Sequence, residues 1–488
     1  MTPQEVLAEL TALQAGDVPT HGGSTMAYVY DSGRAGVEDL AAAAQAAFQW
    51  TNALDPTAFP SVARIEDDLV GAAADLLGGG PATVGTVTSG GTESCLLAVL
   101  AARERWRARG GYRRGGSGRP RLVLPVTAHA AFRKAAHLFD LEVADVAVDP
   151  DTCRALPAAV AGALDDRAAL VVVSAPSYPH GVLDPVGEVA ALAAAAGVPC
   201  HVDACIGGWV LPFLDDVPEP FDLSVPGVTS LSVDLHKYGY APKGVSVLLT
   251  AEPELRQGHW FSTAGWPGYP VVNPTLAGTR PAGPMAAAWA VHRWLGRDGY
   301  AELARATRAA TVALAGGAAA IPGLRVVGTP VATLVALAQD GPDGVDVLNL
   351  ADEATARGWL LQPQPPFAQP GGADLPATLH LTVTGATAGR VDALLADLAD
   401  AARAAAELPR PVADPDLVAA AATIDPAALT VAEVDALLEL AGVGGGRLPE
   451  RMAPVHALVA ALPRPVAERL LAGVLDLVYR PRRAAFSG

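Results

Sequence analysis

The chain is short of what a membrane span, a disulfide framework or a nucleic-acid surface would need. Hydrophobic residues make up 51%, yet proline, glycine and charge interrupt them, and runs such as Leu170–Val173 and Val245–Leu249 are too short to cross a bilayer. Met1–Leu13 is acidic and has neither a basic n-region nor an apolar h-region, so no signal peptide is expected there. The four cysteines, Cys95, Cys153, Cys200 and Cys205, are scattered without a CxxC pair. That pattern points away from a disulfide framework and from a zinc site, and no metal is expected. Basic charge is scarce as well: a formal net charge of −17 argues against general affinity for nucleic acid or acidic membranes. The basic exception, Arg103–Arg121, reads as a solvated loop between a helix and a strand. A soluble cytoplasmic protein is expected.

What the chain does have is alternation. At 488 residues it can bury a large core and form two or more subdomains. From about Pro60 to Leu249, β-rich runs at Thr83–Thr88, Arg121–Val126, Glu142–Val148, Ala169–Ser174, Val198–Asp203, Thr229–Val233 and Val245–Thr250 alternate with helical patterns. This predicts an α/β fold with a mostly parallel sheet and helices on both faces. A long helical stretch after Pro284 leads to a smaller α/β unit. The expected organisation is an N-terminal segment (1–59), a large domain (60–285), a small C-terminal α/β domain (286–408), a variable insert or linker (409–450) and a helical tail (451–488). There is no internal repeat.

Ligands in such sheets collect at the carboxyl ends of strands, and four polar motifs fall there. Thr88-Ser89-Gly90-Gly91-Thr92-Glu93-Ser94 joins a strand to a helix, so glycines and a helix N-terminus can approach an anion. His129 follows a strand and offers a ring that can stack on a flat cofactor. Asp203 ends His201-Val202-Asp203 with a carboxylate, and a protonated pyridine nitrogen is the cationic partner such a group needs. Lys237, in Asp234-Leu235-His236-Lys237-Tyr238-Gly239-Tyr240, supplies an amine able to hold an aldehyde reversibly. Each alone has an ordinary structural reading: an N-cap, a histidine satisfied by backbone, an aspartate capping a turn. In this order they describe a pyridoxal-phosphate site.

On these motifs, with His129-Ala130-Ala131-Phe132, Pro179-His180-Gly181-Val182-Leu183-Asp184-Pro185, Asp234–Gly244 and Pro274-Thr275-Leu276-Ala277-Gly278-Thr279-Arg280-Pro281, the sequence resembles the sphingosine-1-phosphate lyases. These lie within the wider group II pyridoxal-dependent decarboxylase family. The resemblance covers roughly Gly22–Ala406, and Met452–Tyr479 is similar to the end of that family. It implies a fold-type I (aspartate aminotransferase-like) homodimer with active sites at the subunit interface, to which the N-terminal segment contributes. It also implies pyridoxal 5'-phosphate as cofactor, with Lys237 as the Schiff-base lysine, Asp203 paired to the pyridine nitrogen and His129 stacked on the ring. Gly91, Thr92 and His236 would hold the cofactor phosphate, with Gly278 and Thr279 reaching in from the partner. Tyr30 and Lys243 match positions near the substrate's phosphate end.

Two departures bear on the substrate. The lyases carry Asn-Pro-Leu-His where this chain reads Asn52-Ala53-Leu54-Asp55, and an aspartate repels a phosphate dianion where a histidine attracts it. No counterpart of the amino-terminal membrane helix of eukaryotic lyases is expected in this chain, which makes a long lipid substrate less compelling. The expected activity is that of a carbon–carbon lyase releasing an aldehyde from an amine substrate. An amino-acid decarboxylase is the alternative, and a catalytically silent cofactor-binding scaffold the third reading. Tyr178 and Tyr240 are lesser candidates for acid–base work.

Overall fold

The computed structural model describes residues 1–111, 118–440, 442–443 and 448–481. Seven strands form the large sheet: β1 (Val84–Thr88), β2 (Arg121–Pro125), β3 (Glu142–Val146), β4 (Ala168–Ser174), β5 (Cys200–Asp203), β6 (Val228–Val233) and β7 (Ser246–Thr250). Their order is β1-β7-β6-β5-β4-β2-β3. β7 lies antiparallel to both β1 and β6, and the other neighbours are parallel. The expected mostly parallel sheet is therefore present, with one reversed strand. The centre of the basic stretch expected as a loop, 112–117, lies outside the described residues.

Period-two alternation divides the sheet between two cores. On β4, Leu170 and Val172 pack with Leu96 and Val99 of helix Gly91–Ala108 and with Phe132 of helix Ala130–Phe139. Val171 and Val173 face the other way, into a core shared with Val189 of helix Val186–Ala195 and Leu69 of helix Pro60–Leu76. Successive side chains in a strand point to opposite faces. Burying each such residue contributes about 1.5–3 kcal/mol, enough to fix the register. That register aligns Ser174, Asp203 and Ser232 across β4, β5 and β6. Thr88 on β1 ends at the same edge, because β1 and β6 both oppose β7.

The segment Ala282–Ala319 is helical, with a break at Gly296, whose φ of 57° belongs to the left-handed region. It leads into a four-stranded antiparallel sheet in the order Leu324–Val326, Leu334–Gln339, Thr378–Thr382, Gln362–Gln364. Helices Val347–Ala356 and Val391–Ala406 pack on that sheet through Leu350, Leu394 and Leu398.

The 409–450 stretch, expected as an insert or linker, carries helices Pro415–Ala421 and Val431–Leu440. Alanine favours helix, Pro415 stands at a helix start where its missing N–H costs nothing, and Asp414 caps that start by accepting from Asp416 N–H. Val434 and Leu438 pack against helix Arg464–Tyr479, where Gly473 is pressed close to Val434. The expected continuous tail is split into Ala453–Ala461 and Arg464–Tyr479. Among the described residues no helix is long and apolar enough to cross a membrane.

Candidate active site

The strand ends build a cavity of about 350 Å³ lined by Gly90, Gly91, Thr92, His129, Asp203, Asp234, His236 and Lys237, among others. Six of the sequence-predicted residues thus meet in one place: Gly91, Thr92, His129, Asp203, His236 and Lys237. Beyond β1 the chain turns through Gly90 into helix Gly91–Ala108, and no side chain caps that helix. Its first-turn N–H groups and the exposed Thr92 hydroxyl are suited to an anion. Glycine is required at 91: a Cβ there would come within 2.7 Å of Asp234 Oδ2 and 2.8 Å of Cys205 Sγ.

β6 delivers the lysine. Past Val233, Asp234 is almost fully buried, and its Oδ2 lies 2.8 Å from Lys237 Nζ and 3.6 Å from His236 Nε2. Burial opposes the lysine's charge, but Asp234, aided by Tyr30 and Cys205, outweighs it and holds Lys237 well above the usual lysine range. For Asp234, burial works against ionisation and the Lys237 and His236 charges prevail, so the carboxyl lies below its usual range. The other oxygen, Asp234 Oδ1, is buried and lacks a hydrogen-bond partner among the described residues. An orphaned acceptor at a cavity wall is a place for a further donor.

Asp203, at the end of β5, accepts at Oδ1 from Cys205 N–H (3.1 Å) and the Ser232 hydroxyl (3.4 Å) and lines the same cavity. Behind it His201 is wedged between the Ser230 and Ser232 hydroxyls, and burial pushes its pKa down to about 4. His129 caps helix Ala130–Phe139, its Nδ1 accepting from Ala131 N–H at 3.2 Å. The ordinary structural role and the cavity-lining one thus coexist in one side chain. Tyr178 crosses edge-on to His129 at 6.3 Å, stacks on His380 at 4.3 Å and donates its hydroxyl to Gln362 of the small domain. With its hydroxyl so engaged and its pKa pushed up by burial, Tyr178 is a poor base. Tyr240 is also buried and pushed up, and it lines a different cavity.

That neighbouring cavity, about 880 Å³, holds Tyr30 and Lys243, with His236 lining both cavities. Lys243 Nζ lies 4.6 Å from the centre of the Tyr30 ring. Burial and then the Lys237 charge pull Lys243 down to about 8, against Asp234.

Four predicted residues, Asn52, Asp55, Gly278 and Thr279, do not line the Lys237 cavity within the single chain. Asn52 accepts from Leu54 N–H and Arg280 N–H, pinning its loop to the 280 region. Asp55 is exposed and accepts from the Thr57 hydroxyl, Thr57 N–H and Ala58 N–H; these bonds hold its carboxyl below the usual range. Their loop borders a third cavity with Arg256, Trp260 and Arg280. Gly278 and Thr279 sit on a neighbouring loop, tied at Leu276 N–H to Glu93 Oε1. Sequence reasoning gave no role to Asp234 or Glu93. A buried-strand end continuing into Asp at i−3 from the lysine was the available signal for the first.

Residues 38–315 match the family profile described as the pyridoxal-dependent decarboxylase conserved domain. The chain belongs to the pyridoxal-dependent decarboxylase family. Residues 415–477 match a second profile, a putative helix-turn-helix domain at the C-terminus of pyridoxal-dependent enzymes. Sphingosine-1-phosphate lyase of Dictyostelium discoideum is 37% identical over 357 residues, 72% of this chain, and the chain spans 63% of that relative's length. Among solved structures, a sphingosine-1-phosphate lyase of Burkholderia pseudomallei superposes with a TM-score of 0.76 at 35% identity, covering 83% of this chain and 92% of that one. Glutamate decarboxylase of Lactobacillus brevis shares the fold, with a TM-score of 0.73 at 21% identity, over 84% of this chain and 94% of its own. The decarboxylase family's fold-type I architecture and its cofactor, pyridoxal phosphate, are therefore those of this chain. The residues present fit that cofactor: a glycine cradle at a helix start, an orphaned acceptor and a lysine on one cavity.

Proposed function

We propose that the protein is a pyridoxal-phosphate-dependent carbon–carbon lyase that cleaves an amine substrate and releases an aldehyde. The observation that carries this is the meeting of Lys237, Asp203, His129 and the Gly91–Thr92 helix start on one cavity, beside a second cavity holding Lys243 and Tyr30. When bound, the cofactor supplies an electron sink for the pair left by the broken bond. Asp203 would hold its pyridine nitrogen, His129 would form a wall against its ring, and Gly91, Thr92 and His236 would hold its phosphate. Lys237 would anchor it, with Asp234 keeping Nζ positioned. Nζ then serves as the proton donor at the substrate's amine-bearing carbon. Tyr178 closes the cavity toward the small domain and excludes water there.

Lys243 and Tyr30 favour an anionic end on the substrate, received through the lysine's charge and the tyrosine's ring face. Asp55, ionised and exposed, disfavours a phosphate dianion wherever its loop meets substrate, and it supports the second reading, decarboxylation of an amino acid. Incubation with a panel of phosphorylated and plain β-hydroxyamines and amino acids, with product identification, separates the two. Aldehyde plus amine is expected; stoichiometric carbon dioxide with no aldehyde would establish the decarboxylase instead.

A homodimer completes the picture. Val6, Leu7 and Leu10 are exposed along helix Pro3–Ala12, with Leu13 exposed just past its end, and Trp50, Phe261, Trp266, Tyr269 and Leu276 are exposed in the segments flanking the loop bearing Gly278 and Thr279. Large apolar side chains in these numbers support a partner surface. A second copy would bring Asn52, Asp55, Gly278 and Thr279 toward the Lys237 cavity. In residues 415–477 acidic side chains outnumber basic ones, which supports a protein contact over nucleic acid. The four cysteines are free thiols, as a reducing cytoplasm leaves them.

A further inference from the structure

The fold brings together two cysteines that the sequence separates. Cys95 comes from the first turns of helix Gly91–Ala108, and Cys205 from the loop just past β5. Their sulfurs and a carboxylate oxygen of Asp203 all lie within 4.8 Å of one another, and all three residues are buried. The trio is not sealed off, because each of its members lines the wall of the Lys237 cavity. The Ser232 hydroxyl stands beside it, 3.3 Å from Cys205 Sγ and 3.4 Å from Asp203 Oδ1.

We propose that Cys95, Cys205 and Asp203 form a site for one thiophilic divalent cation of the zinc or cadmium class, and that this cation and the cofactor exclude one another. Two thiolates and a carboxylate, with one position open to a water in the cavity, make the donor set of an open tetrahedral site. Ligand atoms around a cation held at about 2.0–2.3 Å stand about 3.5 Å apart. Side-chain rotation moving each atom by about 1 Å closes the present trio to that spacing. Cation binding breaks two S–H bonds and forms two metal–sulfur bonds, and both protons leave to solvent. The site gains a divalent cation against two new thiolate charges and the existing carboxylate, and charged Lys237 lies on the same cavity. Exclusion rests on the reading that Asp203 pairs with the cofactor, since a divalent cation and a protonated pyridine nitrogen drawn to one carboxylate repel one another. The cation therefore acts as a brake on cofactor loading, through a residue the chemistry needs.

The test uses the full-length chain, stripped of pyridoxal phosphate and titrated with cadmium ion. The expected result is one cadmium per chain with a thiolate-to-cadmium charge-transfer band, lost in Cys95→Ala and in Cys205→Ala. Thermal melting and far-ultraviolet circular dichroism verify that each variant is folded, and Cys95→Ser serves if the alanine variant is not. No thiolate band, or one of equal size in a folded cysteine variant, would overturn the site. Exclusion is read separately, by cofactor absorbance. Cadmium at about a hundred times its own Kd should raise the apparent Kd for pyridoxal phosphate about a hundredfold, and should leave it unchanged in Cys95→Ala. A full thiolate band on protein that keeps its cofactor would overturn exclusion while leaving the cation site standing. A chain that takes up cadmium but never pyridoxal phosphate would instead sink the proposed function.

Discussion

The floor of the Lys237 cavity and its surroundings differ in how tightly each is held together. The floor is dense and finished: Asp234 holds Lys237, Ser232 and Cys205 N–H hold Asp203, and the hydroxyls of Thr88, Ser94 and Ser246 form a hydrogen-bonded row beneath. The surroundings are dispersed. Tyr30 and Lys243 line one cavity, Asn52 and Asp55 belong to a loop at another, and Gly278 and Thr279 stand on a separate loop. Chemistry common to a family needs only the rigid floor, whereas choice of substrate is left to groups on loops.

The largest expected effect falls on the floor. Lys237→Ala should lower kcat by at least about a thousandfold with the protein still folded, measured as product release under saturating substrate. Next comes a test of the claim that the surroundings need two chains. Gly278→Trp should inactivate by blocking the partner's cavity, yet mixing it with Lys237→Ala should restore about a quarter of wild-type activity. Half the dimers would then be hybrids, each with one intact site. Absence of recovery after verified subunit exchange would mean that Gly278 serves its own chain or no site.

Lys243 should act on binding more than on chemistry. Lys243→Met should raise KM for an anionic substrate by about 10–100-fold with kcat little changed, the loss of one charge-assisted contact. The lysine is charged below a pKa of about 8 and neutral above it, so affinity for an anionic substrate should fall as pH rises through about 8. That alkaline limb should vanish in Lys243→Met. The smallest effect is assigned to Asp55, an exposed group: Asp55→His should improve binding of phosphorylated over plain amines by about two- to fivefold. Equal binding of both by the variant would show that Asp55 does not face the substrate.

The floor was legible in the sequence because its parts are local. A strand end, a glycine turn and a helix start are consecutive in Thr88–Ser94, and Lys237 sits in a short distinctive run. Parallel pairing brings the ends of β4, β5 and β6 together, and the reversed strand β7 sets the end of β1 on the same edge. What was illegible depended on distance in the chain. Cys95 and Cys205 carry no spacing signal, and their meeting follows from how helix Gly91–Ala108 packs against β4, β6 and β7. Glu93 bonding Leu276 N–H joins residues far apart in sequence. The helices within 409–450 were hidden for a different reason: proline and glycine marked the ends of short helices, while alanine filled their interiors. Asn52 and Asp55 were read as substrate contacts; in the single chain their side chains make local hydrogen bonds that shape the 52–58 loop.

Borohydride reduction of the chain loaded with pyridoxal phosphate, followed by peptide mass mapping, tests the central claim most directly. The account predicts one reduced cofactor per chain, attached to the peptide containing Lys237 and absent from Lys237→Ala. A label on another lysine, or none on a chain that visibly holds the cofactor, would contradict it.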